Sequence, residues 1–184
     1  MSPLTDAVRA AGGDAAVASE TFGVLTVDVA PERWSEAIAA AAAQGATYLD
    51  FLTAYDELDA GFALVAHVAT TDAAEHLLLR ARLPRDAATV ASVTGIFAGA
   101  AWHERETHEM YGIDFAGNDD LAPLLLPPGF VGHPLRKDFV LASRVSVPWP
   151  GEKDPADSTG KVRRRTLPPG VPADWPTGIV EESS

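Results

Sequence analysis

Residues His76–Leu83, with the sequence HLLLRARL, show the most regular alternation of side-chain character in the chain. In an extended strand successive side chains point to opposite faces, so this alternation gives one apolar and one more polar face. The apolar face consists of Leu77, Leu79, Ala81 and Leu83, and the other face of His76, Leu78, Arg80 and Arg82. The segment therefore predicts a strand that packs one side against a core.

Neighbouring segments extend this strand into a sheet. Residues 47–55 and 62–70 also have strand composition, and a turn containing residues 59–61 (DAG) separates them. Three successive strands with short links predict an antiparallel meander. Residues 21–29 predict an earlier strand, and residues 31–44 a helix with Pro31 in its first turn. The predicted fold class is α+β, with a mostly antiparallel sheet and helices packed on one face.

Two further helices are predicted after the meander. Ser92 is a plausible N-cap for a short helix that carries the apolar residues following it. A second, charged helix is predicted over residues 101–111, and Gly112 suits its C-terminal cap.

Proline divides the chain into two parts. Eleven of the 14 prolines lie between Pro123 and Pro176, and proline removes a backbone donor and fixes φ. We therefore predict a folded domain over residues 1–144 and a Pro-rich extended tail over residues 145–184.

The whole chain is acidic and contains no cysteine. Its 184 residues carry 26 acidic and 14 basic side chains, for a formal net charge of −12. This charge argues against nucleic-acid binding, which needs a positive surface. The lack of cysteine excludes disulfides, thiol catalysis and thiolate ligation of zinc or iron–sulfur clusters. The sequence shows neither a membrane-spanning apolar run nor a secretory signal, which favours a cytoplasmic protein.

The densest cluster of ionisable residues, WHERETHEMY at 102–111, invites comparison with zinc proteases. Their motif needs two histidines four residues apart on one helix face. Here His103 and His108 are five apart, roughly 140° around a helix. Thr107 occupies the position of the second ligand, so the sequence argues against this site.

The same cluster also allows two structural interpretations. Trp102, Glu106 and Met110 recur at helical spacing, which would put a carboxylate on an apolar stripe and require a partner such as Arg136 or Lys137. The alternative is an exposed charged helix with local pairs, for example between residues 104 and 108. Periodicity alone favours the second interpretation.

Other polar residues give weaker signals. His67 is expected to be a satisfied histidine within its strand, and His76 a solvated one. Residues 163–165 (RRR) form the only basic run; docking on an acidic partner surface suits them better than nucleic acid does.

Two longer motifs resemble a known family. The first is ERETHEMYGI at residues 104–113, and the second is GHPLRKDF at residues 132–139. In this order they closely resemble the thirty-kilodalton subunit of respiratory complex I, which in bacteria is the C subunit of NADH-quinone oxidoreductase. The family usually carries a histidine where Asn118 stands and an Arg-Arg pair where Ala122 and Pro123 stand.

The resemblance implies a peripheral subunit of the hydrophilic arm, on the cytoplasmic side of the cell membrane. Such subunits pack against the forty-nine-kilodalton subunit, the quinone-site subunit, which helps to form the quinone site. They hold no redox cofactor of their own; flavin, iron–sulfur clusters and quinone are bound by other subunits. The complex passes electrons from NADH to quinone and translocates protons, so this chain would have a scaffolding role, with no catalytic or metal-binding residues.

The same resemblance gives a set of expected signature and partner-contact residues. They are Glu104, Arg105, Glu106, Glu109, Gly112, His133, Pro134, Arg136, Lys137 and Asp138. The charged residues of the two motifs are expected to lock each other or a neighbouring subunit by charge-assisted hydrogen bonds. Charge reversal at Arg136 is then expected to block assembly, and the tail is expected to lie over partner subunits.

Other functions remain open at the level of the sequence. The same module also occurs in related assemblies, such as a membrane-bound hydrogenase or a dehydrogenase with another electron donor. A free-standing enzyme would use Glu104, Glu106 and His108 for acid–base work. A third possibility is an acidic interaction module unrelated to respiration.

Overall fold

Five strands of the chain form one mixed sheet, on which the helices pack. The computed structural model describes residues 2–72, 74–140 and 169–172. The α-helices in these ranges are α1 (Pro3–Gly12), α2 (Trp34–Ala43) and α3 (Ala100–Tyr111). The strands are β1 (Val17–Thr21), β2 (Val24–Val29), β3 (Tyr48–Asp56), β4 (Phe62–Ala69), β5 (His76–Leu83), β6 (Thr89–Ala91) and β7 (Asp114–Ala116).

The strand order of the large sheet is β1-β2-β5-β4-β3. Strands β3, β4 and β5 pair antiparallel in succession, which confirms the predicted meander. The register places Phe62 opposite Leu83 and Ala69 opposite His76. Strand β2 joins the other side of β5 in parallel, and this pairing was not predicted. The fold class, α+β with a mostly antiparallel sheet, is confirmed.

One face of the sheet lies against the helices and forms the core. The four residues predicted for the apolar face of β5 are buried, with at most 1% of their surface exposed. Helices α1 and α2 pack against each other, α1 also contacts β2, and α3 contacts β3. Trp34, Ile38 and Ala41 of α2 are fully buried at the predicted helical spacing.

The opposite face of the sheet carries an ion-pair network across β2 and β5. Arg80 donates two hydrogen bonds to Asp28, at 2.6 and 2.8 Å, and Arg82 donates to Asp28 at 3.0 Å. The hydrogen bond from Arg80, reinforced by the charges of both arginines, lowers the pKa of Asp28 below its ordinary value.

Several elements differ from the sequence-based predictions. Strands β6 and β7, which pair in parallel as a second, two-stranded sheet, were not predicted. Residues 21–29 are not one strand, because Phe22 and Gly23 adopt positive φ angles of 52° and 78° and form the turn of the β1–β2 hairpin. The short helix predicted at Ser92 is a turn that follows β6. Helix α1, capped by the Ser2 side chain, was not predicted. The charged helix and its Gly112 cap, with φ +72°, are confirmed.

Most of the predicted tail, including the basic run at 163–165, lies outside the described residues. Of its described part, residues 169–172, Gly170 accepts a hydrogen bond at 2.8 Å from the backbone N–H of Val131. None of the helices in the described ranges has the length and apolarity that a bilayer crossing requires.

Candidate functional site

Helix α3 carries a fully buried carboxyl group at Glu104. Its oxygens accept hydrogen bonds from the backbone N–H of Val93 at 2.7 Å, the Ser92 hydroxyl at 2.8 Å and the Asn118 amide at 2.8 Å. A buried carboxyl is costly unless its oxygens are hydrogen-bonded, and here three donors meet that need. Glu104 therefore joins α3 to the turn after β6 and to the segment after β7.

A second carboxyl of the same helix, at Glu109, organises an irregular segment. It accepts hydrogen bonds from three consecutive backbone N–H groups, of Leu124, Leu125 and Leu126, at 3.2, 2.8 and 2.9 Å. These groups have no strand or helix partner, so Glu109 supplies the acceptors that secondary structure would otherwise provide. The Leu125 side chain is left 60% exposed.

Arg105 holds the beginning of the same segment. Its Nε and Nη2 donate to the carbonyl oxygens of Ala122 and Pro123, at 2.9 and 3.0 Å. Its guanidinium also lies 5.6 Å from the ring of Trp102, whose surface is 62% exposed. Arg105 binds backbone carbonyl oxygens, which do not depend on the side chain, so Ala122 and Pro123 can serve as its acceptors. Asn118 stands where the family usually carries a histidine, and its side-chain N–H donates to Glu104.

The second motif closes over the C-terminal end of α3. Arg136 Nε donates at 2.6 Å to the Tyr111 carbonyl, one of the acceptors left free at a helix end. The backbone N–H of Lys137 donates at 2.8 Å to Asp56. Asp138 pairs with Arg85 at 3.3 Å.

Asp56, at the end of β3, and Arg85, just after β5, hold the second motif in this position. Arg85 donates to Asp56, and the guanidiniums of Arg85 and Arg136 lie 5.0 and 5.1 Å from the ring of Phe62. Burial alone would raise the pKa of Asp56, but hydrogen bonds from the backbone of Lys137 and Leu58 and the charge of Arg85 outweigh it and lower that pKa. Sequence reasoning missed both residues. The available signal for Asp56 was its place in β3, two residues after Ala54 and therefore on the same, inward face.

Gly112 allows the two motifs to approach closely. A Cβ atom on Gly112 would lie 2.5 Å from Arg136 Nη2 and 2.6 Å from His133 Nε2. The Nδ1 atom of His133 in turn donates to the Glu109 carbonyl, at 2.9 Å. Pro134, which follows it, is half-buried.

Two expectations about α3 are corrected by this geometry. The stripe proposed through Trp102, Glu106 and Met110 was wrong for its first two members, since Trp102 is exposed and Glu106 half-buried, whereas Met110 is buried. The buried residues of α3 are instead 100, 104, 107 and 109–111. The exposed-helix alternative was also wrong for Glu104, which is buried and bonds to residues outside the helix. Within the described residues, the Glu106 side chain makes no hydrogen bond or ion pair.

The charged side chains of the two motifs do not pair with each other as expected. In residues 2–72 and 74–140, no hydrogen bond or ion pair joins residues 104–106 to residues 136–138. The charged side chains of the first motif instead hold the turn after β6 and the loop at 118–126. The second motif binds the end of β3 and backbone carbonyls of the first motif at the end of α3.

A pocket of about 210 Å³ lies between α3 and the loop, lined by His108, Glu109, Leu126, Phe130 and His133, among others. Glu104 and Glu106 do not line it. His108 does line it, and its Nδ1 atom lies 3.0 Å from the Ile113 carbonyl. In the part of the chain that the structure describes, no group of three or more His, Asp or Glu side chains is arranged to hold a metal ion.

Comparison with known proteins gives a consistent result. Residues 27–145 match the family model described as respiratory-chain NADH dehydrogenase, 30 Kd subunit. The C subunit of NADH-quinone oxidoreductase from Thiobacillus denitrificans is 33% identical over 160 residues, covering 80% of each chain. The C subunit of F(420)H(2) dehydrogenase from Methanosarcina mazei is 47% identical over 85 residues, covering 46% of this chain and 51% of that protein. The alignment thus spans about half the length of that relative.

Solved structures share the fold. The trypsin-resistant fragment of Nqo5 is 25% identical, with a TM-score of 0.57, and the match covers 64% of this chain and 98% of the fragment. A chain of the membrane-bound sulfane sulfur reductase, an archaeal respiratory membrane complex, has a TM-score of 0.63 at 23% identity, covering 74% of this chain and 84% of that chain. The family match, the similarity of the relatives and the fold agree, and the chain belongs to the family of the 30 Kd subunit of respiratory-chain NADH dehydrogenase.

Proposed function

We propose that the chain is a non-catalytic peripheral-arm subunit of a proton-translocating NADH:quinone oxidoreductase. In this role it packs against a quinone-site subunit of the forty-nine-kilodalton type, on the cytoplasmic side of the membrane. Flavin, iron–sulfur clusters and quinone are held by other subunits. The family match and the NADH-quinone oxidoreductase relatives support membership of such a complex.

The observation that carries the scaffolding role is how α3 uses its charged side chains. Glu109 and Arg105 bind five backbone groups of residues 122–126 and hold this loop in one conformation. A loop ordered in this way costs little entropy when it binds a partner. We therefore assign residues 121–126, together with Trp102, as a preformed interface loop.

Exposed apolar residues concentrate on and near this loop. Besides Leu125 and Trp102, the segment that follows has three large apolar residues that are at least half exposed: Val131, Leu135 and Val140. Large exposed apolar surface is typical of a protein that buries it against another chain. This surface fits a partner subunit with an apolar face.

The acid–base enzyme is disfavoured by the same geometry. Glu104 faces a buried hydrogen-bond network, and His108 faces the Ile113 carbonyl, so these groups do not meet at one cavity. An equivalent subunit of a complex with another electron donor is the second candidate, favoured by the 47% identity to a subunit of F(420)H(2) dehydrogenase. The electron donor accepted by the purified complex separates these two.

Leu125→Arg tests the interface without removing any of the chain's own side-chain hydrogen bonds. The full-length variant is expressed as the only copy and membranes are extracted in mild detergent. The copurifying quinone-site subunit is then quantified together with NADH:quinone activity. We expect at least about a tenfold loss of both, because a charge at the centre of an apolar contact remains unpaired.

Val17→Arg is the matched control, since Val17 is equally exposed, at 58%, but lies on β1. It should assemble normally. Normal assembly of Leu125→Arg would contradict the assigned loop, and purification of the wild-type chain without a quinone-site subunit would contradict the proposed function itself.

A further inference from the structure

Three polar side chains meet on the face of the sheet opposite the helices. Asp50, His67 and His76 lie on the adjacent strands β3, β4 and β5. In the register of β4 and β5, His76 lies opposite Ala69 and His67 opposite Leu78, so the two histidines are diagonal neighbours on one face. Asp50 falls at a register shift of β3 that brings its carboxyl to the same point.

The three groups form a continuous chain of short contacts. His67 Nδ1 lies 3.0 Å from the Asp50 carboxylate, and His67 Nε2 lies 3.1 Å from His76 Nδ1. The ring of Phe51 stacks on His67 with a centroid separation of 5.6 Å, which fixes the plane of the imidazole. The site opens into a cavity of about 560 Å³ that Tyr48 and Thr70 also line.

The chemistry of the partners determines which nitrogen carries the proton. A carboxylate only accepts hydrogen bonds, so the proton of neutral His67 lies on Nδ1, next to Asp50. His67 Nε2 therefore carries a lone pair and lies 3.1 Å from His76 Nδ1. Either the two nitrogens share one proton, or both bind one cation that lies beside the line joining them.

We propose that His67 and His76 bind one divalent transition-metal ion, of the class of Zn²⁺. At the usual Zn–N distance of about 2.0–2.1 Å, nitrogens 3.1 Å apart subtend an angle of about 100° at the ion, between the octahedral and tetrahedral values. On binding, the single proton of neutral His76 moves from Nδ1 to Nε2, so that His76 Nδ1 and His67 Nε2 each offer a lone pair to the ion. Since no third protein ligand is arranged around this point in the described residues, water fills the remaining positions.

Asp50 acts in this site through His67. A carboxylate that accepts the far N–H of a ligating imidazole fixes the tautomer and the ring orientation and raises the basicity of the ligand. Asp50 is therefore a positioning residue. The site lies on a different face from α3 and the interface loop and does not depend on the proposed function.

The test uses the full chain without a polyhistidine tag, titrated with Zn²⁺ by isothermal calorimetry and followed by nitrogen NMR of the imidazoles. We expect saturation at one ion per chain and shifts of the His67 and His76 signals. His67→Ala and His76→Ala should each weaken binding at least about tenfold, and Asp50→Asn by about 10- to 100-fold. His103→Ala, which changes a histidine on α3, should leave the affinity unchanged.

Lack of saturable binding, or wild-type affinity in a His67→Ala/His76→Ala double variant, would overturn the assignment. A measurement on the wild-type chain guards against variants that fold poorly. In the wild-type titration the His67 and His76 signals should shift together up to one equivalent of Zn²⁺. Shifts confined to His103, His108 or His133 would also overturn the assignment.

Discussion

The two buried glutamates of α3 bind backbone groups rather than cations. Glu104 and Glu109 together accept four backbone N–H groups, in addition to Ser92 and Asn118 side chains. Their position in a densely charged run suggested surface ion pairs. The physical reason for burial is that the segments on either side of α3 lack regular secondary structure, so their N–H groups need acceptors from side chains.

Glu104→Ala is expected to lower the free energy of unfolding by about 2–4 kcal/mol, because it leaves buried donors of Ser92, Val93 and Asn118 without an acceptor. Urea unfolding followed by circular dichroism measures this loss. Glu36→Ala is the control, since Glu36 pairs with Arg33 at the surface and its removal should cost less than about 0.5 kcal/mol. Equal effects of the two substitutions would contradict the buried network.

Among the elements of the fold, the contact between α3 and the second motif depends on one residue, Gly112, whose backbone is in the left-handed conformation. Gly112 ends the helix with φ +72° and leaves room for Arg136 and His133 beside the last turn. A side chain there would be strained by the backbone conformation and would displace both of these residues.

Gly112→Ala should therefore destabilise the domain by about 1–2 kcal/mol, seen as a lower midpoint in thermal unfolding. Gly99→Ala is the matched control at the other end of α3. Gly99 has φ −63° and a Cβ there would meet open space, so this change should be neutral or slightly stabilising. A loss at Gly99 as large as at Gly112 would refute the argument.

The elements that were predicted correctly are those whose own residues specify them. The alternation in β5 and the spacing in α2 were sufficient, and Gly112 marked the end of α3. The β1–β2 hairpin was missed because its turn places Phe22, not Asn or Asp, at positive φ. The buried face of α3 was misassigned because Trp102 looks apolar but lies outside, while Glu104 and Thr107 lie inside.

Contacts between distant segments were beyond the reach of sequence patterns. The resemblance singled out Arg136, Lys137 and Asp138, but the partners of these residues, Tyr111, Asp56 and Arg85, depend on how the sheet and α3 meet. The parallel pairing of β2 with β5 is likewise a property of the assembled core.

For the molecule as a whole, Asp56 connects the sheet, through Arg85 and Lys137, to the second motif. Its pKa in the folded state lies below the ordinary value, so its ionised form stabilises the fold. This contribution is complete above the unfolded-state pKa of about 3.9 and is lost as the pH falls through the lower folded-state pKa.

Asp56→Asn should accordingly be less stable than wild type at pH 7, and the difference should shrink below about pH 4. Chemical unfolding at a series of pH values from 7 to 3 measures it. Asp59→Asn, at an exposed aspartate in the following turn, is the matched control and should stay within about 0.5 kcal/mol of wild type at pH 7. A constant gap between Asp56→Asn and wild type at every pH would show that the carboxylate charge is not the cause.

The register shift in β3 also affects how readily the chain aggregates before it is assembled. Strand β3 is one of the two edge strands of the sheet, and a long regular edge strand can pair with the edge of a second copy and so start aggregation. The irregularity between Leu49 and Phe51, with the Asp50 charge inside it, interrupts the backbone ladder that a second copy would extend. We therefore expect copies of the chain that are not yet assembled to resist aggregation through this edge.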